Sequence, residues 1–69
     1  MQAHAIAAAG IAAASARFEA SARRTAADPL AGLAEETVER IGAEIAFKAN
    51  ASVLKTADEM AGTLLDILA

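Results

Sequence analysis

Apolar side chains recur every three or four residues through the second half of the chain. Val38, Ile41, Ile45, Ala49, Val53, Ala57, Met60, Leu64 and Leu68 follow one face of a helix at that spacing. Val38, Ala49 and Met60 stand eleven apart, and an eleven-residue repeat, about 3.67 residues per turn, favours straight or slightly right-handed packing over a heptad supercoil. On the same helix Phe47, Leu54, Ala61 and Leu65 line up as a second stripe, far around the circumference from Val38 and Ile45. From Phe47 onward the two stripes cover about half the helix surface, wider than the roughly 100° of a helix with one buried face.

The first part of the chain reads differently. From Gln2 to about Arg24 only Gly10 weakens an alanine-dense helical pattern, and Ala7, Ile11, Ala14, Phe18 and Ser21 share one face. Small residues on that face let a second backbone come close. Ile6 lies off the stripe. Thr25 to Asp28 is the plausible connection: Asp28 can accept hydrogen bonds from unpaired amides at a helix start, and Pro29 suits the first helical position. Gly32 weakens the first turns by roughly 1 kcal/mol relative to alanine, which leaves a start nearer Ala34 open. These signals divide the chain into an N-terminal alanine-rich helix over residues 1–24, a connection at 25–28 and a long C-terminal helix over 29–69. A continuous helix from Pro29 to Leu68 spans roughly 60 Å, longer than a compact chain of this size is wide.

The expected fold is all-α: a two-helix antiparallel hairpin, coiled-coil-like, whose second helix overhangs the first. Ile11 and Phe18 are expected to meet Val38, Ile41, Ile45, Val53, Met60 and Leu64 in the helix–helix contact. A hairpin with so few large side chains in its first helix covers one stripe of the second and leaves the other wet. Phe47, Leu54 and Leu65 are therefore expected at an intermolecular contact.

Composition sharpens this picture. Of 69 residues 22 are alanine, which favours helix but buries little area, and only 17 are Ile, Leu, Val, Met or Phe. Four of those 17 precede Pro29 and thirteen follow it. With no cysteine the chain has neither a disulfide nor a thiolate metal site. The net charge of −3 argues against nucleic acid or an anionic membrane as partner. The apolar run from Ala5 to Ala14 is about half the length of a membrane span and lacks a preceding basic region, so neither stable insertion nor ordinary secretory export is indicated.

Polar residues offer little chemistry. His4 is the only histidine and has no carboxylate cluster near it in sequence. Ser15, Ser21 and Ser52 lack an evident base, and the neighbours Glu35–Glu36 and Asp58–Glu59 point about 100° apart on a helix. Glu36, Arg40, Glu44 and Lys48, followed by Lys55 and Glu59, have the four-residue alternation of a solvated face. Arg23 and Arg24 suit the negative end of the first helix dipole. No catalytic activity and no cofactor are expected.

Several elements point further. Phe47-Lys48-Ala49-Asn50, Thr56-Ala57-Asp58-Glu59-Met60 and Thr63-Leu64-Leu65, with Leu33-Ala34-Glu35-Glu36 before them, resemble the C-terminal segment of bacterial flagellar axial proteins of the rod and hook group. Gly10-Ile11, Ala13-Ala14-Ser15, Arg17-Phe18-Glu19 and Ser21-Ala22 are similar to the same family's N-terminal segment. The resemblance implies a helical inner-layer domain of a tubular assembly, with other rod and hook axial proteins as partners in a homo- or hetero-oligomer. It also implies export from the cytoplasm by the flagellar type III apparatus to the basal body and hook. Two features depart from the family pattern. Arg23-Arg24 stands where paired asparagines are usual, and a short connection replaces the largely β-structured domains between the two segments. The expected role is a structural subunit or assembly accessory of the rod–hook axis. A soluble helical homo-oligomer acting in binding or in export-coupled regulation is the alternative, and a membrane-surface peptide ranks lower because its polar face is mixed in charge.

Overall fold

The computed structural model of the chain describes residues 2–68; the outer limits expected for the two helices, residues 1 and 69, lie outside them. Alanine density carries the first helix, α1, through Gln2–Ala27, and the second, α2, runs over Leu33–Leu68. The two pack antiparallel as an all-α hairpin, with no strand among the described residues. Its dimensions are 58 × 14 × 13 Å. The radius of gyration of 16.6 Å exceeds the about 11 Å of a compact chain of this length.

The turn between them lies later than the sequence pattern suggests. The Asp28 amide still donates to the Arg24 carbonyl, so α1 continues past Arg24 to Ala27. Asp28 Oδ1 then accepts the Ala31 amide at 3.3 Å, closing a local turn around Pro29 and Leu30. Gly32 takes a left-handed conformation (φ 63°), which side-chain-bearing residues adopt only at a cost, and its carbonyl accepts the Glu36 amide at 2.9 Å. The chain thus reverses over Asp28 to Gly32, and α2 begins at Leu33 instead of Pro29.

Register follows from contacts at both ends of the pair. Arg24 lies opposite Glu36, Arg17 opposite Glu39, Gly10 opposite Asn50, and His4 opposite Asp58. With 26 residues against 36, α2 extends beyond α1 by about two to three turns, and Leu64, Leu65, Ile67 and Leu68 stand in solvent on that overhang. The core of the hairpin is small: Ala7, Ala14 and Ala43 are its buried apolar residues, joined by Ser21.

Close approach at Gly10 decides where bulk is tolerated. A Cβ there would collide with the Asn50 carboxamide, which donates to the Ala46 carbonyl at 2.8 Å, whereas a Cβ at Gly62 meets nothing. Gly62→Ala is expected to raise stability by about 0.5–1 kcal/mol through helix propensity, and Gly10→Leu to lower it by about 1–3 kcal/mol through overpacking. Urea titrations followed by helical circular dichroism check both signs; equal effects at the two sites would contradict the close contact.

Candidate interaction surface

The face of α2 that meets α1 is drawn by partial or full burial of Glu36, Arg40, Ala43, Asn50, Leu54, Ala57 and Ala61, with Phe47 in line between them. Glu39, Gly42, Ala46 and Ala51 are also partly buried. The positions 36, 43, 50 and 57 recur every seven residues, and 39, 50 and 61, 43 and 54, and 46 and 57 stand eleven apart, so the contact is compatible with both spacings. On α1 the matching face is Ala7, Gly10, Ile11, Ala14, Ala20, Ser21 and Thr25.

The stripe expected to meet α1 faces solvent instead. Val38 is 69% exposed, Ile45 and Met60 62% each, and Ile41, Val53 and Leu64 are about half exposed. Of the residues expected at an intermolecular contact, Leu54 is half-buried in the hairpin and Phe47 flanks it at 43% exposure. Leu65 lies in solvent on the overhang. Ile11 sits at the edge of the helix contact and Phe18 stays 46% exposed. Size accounts for this arrangement. A helix presenting Ala7, Gly10 and Ala14 approaches most closely a partner face built from Ala43, Ala57 and Ala61, and the branched residues of the other stripe would hold the backbones apart.

Polar side chains close the turn end. Ser21 is fully buried, and its hydroxyl donates to the Glu36 side chain at 2.9 Å and to the Glu36 carbonyl at 3.1 Å as alternatives. Arg24 grips Glu36 with two nitrogens, at 2.6 and 3.0 Å. Arg40 donates to the Thr25 hydroxyl at 2.6 Å and to Ser21 Oγ at 3.3 Å. Arg17 pairs with Glu39 at 2.8 Å. Glu36 and Arg40, read as part of a solvated face, therefore belong to the hairpin contact, and Arg24 acts through a forked ion pair in addition to its place near the helix end. Glu44–Lys48 is an exposed pair along α2, and Arg23 pairs with Glu19 within α1. The missed signal was the seven-residue series that joins Glu36 and Arg40 to Asn50 and Leu54.

His4 lies 3.8 Å from Asp58 in solvent, and among the described residues no cluster of His, Cys, Asp and Glu is arranged to hold a metal ion. No buried polar side-chain atom among them lacks a partner. Among the described residues no helix is long and apolar enough to cross a membrane.

Such a molecule, a rod of two helices with a small-residue seam and large apolar residues outside, is a structural packing element. The chain belongs to the flagellar basal body rod FlgEFG protein C-terminal family, whose model matches residues 32–67, essentially all of α2. Comparisons with curated proteins and with solved structures gave no match. The family is structural and not enzymatic, and its role lies in the flagellar basal body.

Glu36 makes the turn end sensitive to acid. Hydrogen bonds from Arg24 and then Ser21 hold its carboxyl below the ordinary carboxylate range, and the bond from Arg17 does the same for Glu39. A carboxyl depressed in the folded state stabilises the fold above its unfolded pKa and loses that contribution as pH falls through the folded value. Hairpin stability is therefore expected to fall below about pH 4.3, and Arg24→Ala to flatten that decline. Urea midpoints measured between pH 7 and pH 2 test this, and an unchanged acid dependence in the variant would contradict the role given to Arg24.

Proposed function

We propose that this chain is a structural subunit or assembly accessory of the flagellar rod–hook axis. In this reading the outer stripe of α2 packs against the helices of neighbouring axial subunits. One observation carries it: the residues with most apolar area lie outside the hairpin. A buried alanine methyl contributes on the order of 0.8 kcal/mol, whereas covering a Val, Ile, Leu or Met side chain contributes about 1.5–3 kcal/mol. Most of the stabilisation available to α2 therefore comes from molecules that cover Val38, Ile41, Ile45, Val53, Met60 and Leu64. Leu65 on the overhang adds to that surface. The family match lies on the same helix.

Partners in this account are other axial proteins, reached after passage through the flagellar type III export apparatus. No cofactor and no enzymatic step enters. Ile45 sits mid-stripe and is 62% exposed, so an aspartate there changes chiefly the outer face. Ile45→Asp is expected to abolish recovery of the chain in purified basal bodies while helix content stays unchanged. Undiminished incorporation of the variant, or the wild-type chain confined to the cytoplasm, would overturn the proposal.

A further inference from the structure

On the side of the hairpin away from the Val53–Met60 stripe, an open apolar groove of about 520 Å³ runs between the helices. The buried Ala14 and Ala43 form its floor, and Phe18 and Phe47 flank it. These are the only aromatic residues of the chain, each close to half exposed and both on this one groove. Aromatic side chains are the usual anchors of protein interfaces, and two on one shallow groove suit a contact between macromolecules more than a small-ligand cavity.

We infer that the groove is covered by a second copy of this chain, packed face to face about a two-fold axis as an antiparallel four-helix bundle. Three charged residues line the groove: Glu19, which pairs with Arg23 within α1, and Glu44 and Lys48, which pair with each other at 2.9 Å. The last two favour this occupant, because they stand one turn apart on either side of Ala46 and can exchange partners with a second copy. An axis perpendicular to the helices at that level places Glu44 of each copy beside Lys48 of the other, as a self-complementary two-fold contact requires. From the pairings of Arg24 with Glu36 and Gly10 with Asn50, Ser15 on α1 stands at the same level and faces its own copy across the axis.

The area is adequate. About this axis α2 overlaps its copy over residues 33–59, about 40 Å of helix, and two helices side by side are about 20 Å wide. The projected footprint, about 800 Å² per copy, is of the order of the surface each partner buries in a standard stable interface. Val53, Met60 and the overhang from Gly62 to Leu68 stay open, whereas Ile41, seven residues from Lys48 and so on the same side of α2, is covered with the groove; the dimer does not depend on the basal-body reading.

Sedimentation equilibrium of the full chain is expected to give 14 kDa, twice the 7.0 kDa of one chain. Because the chain contains no cysteine, Ser15→Cys is expected to cross-link efficiently on mild oxidation and Val53→Cys poorly. Glu44→Lys should weaken the dimer about tenfold, and Glu44→Lys with Lys48→Glu should restore it. A monomer at about 100 μM, folded or unfolded, would overturn the inference. So would open-ended oligomers, or cross-linking through Val53→Cys in place of Ser15→Cys.

Discussion

Two backbones lie close together along a seam of alanine and glycine. Ala7, Ala14 and Ala43 are buried there, and Gly10 leaves no room for a Cβ against Asn50. Nearness of this kind depends on the absence of bulk. Apart from Leu54, the branched and aromatic side chains of α2 lie at the rim of the seam or beyond it, and the exposed positions of Val38, Ile45 and Met60 follow. A seam of small residues sets geometry well and contributes little burial. Direction and register are fixed at the turn end, where Ser21, Arg24, Thr25 and Arg40 gather around Glu36. A slip by one residue would strand a fully buried hydroxyl and break the forked ion pair.

From this constraint comes the division of labour between the helices. α1 is a smooth strut that holds α2 straight, and α2 carries both the apolar surface and the match to the basal body rod family. Apolar surface left outside a small fold marks the place where another molecule belongs. The overhang from Gly62 to Leu68 extends this principle beyond the hairpin, since α1 does not reach it. For a chain built in this way, covering that surface would add stability. Order in α2 and assembly are then expected to be coupled.

Much of the architecture was legible in the residues. Alanine density revealed the first helix, and the face of Ala7, Ile11, Ala14, Phe18 and Ser21 gave its contact side in part, since Phe18 stays 46% exposed; the length of the second periodic segment revealed the overhang. The excess of apolar surface was visible too, as two stripes on one helix. Which stripe meets α1 was not, because periodicity weights large side chains whereas close packing here selects small ones. Glu36 and Arg40 were hidden for a related reason: alternating charges at four-residue spacing look alike whether they face water or a buried serine. The later start of α2 depended on the left-handed Gly32 and the Asp28 turn, local geometry that outweighed the fitness of Pro29 for a helix start.

The central claim is that the outer stripe of α2 is a surface meant for neighbouring axial subunits. Photo-cross-linking tests it most directly, with a photoreactive side chain at Ile45 of the chain in assembled basal bodies and the products read by mass spectrometry. Cross-links to other axial proteins are the predicted result. A chain recovered from basal bodies with no cross-link from Ile45 to any other protein would contradict the account.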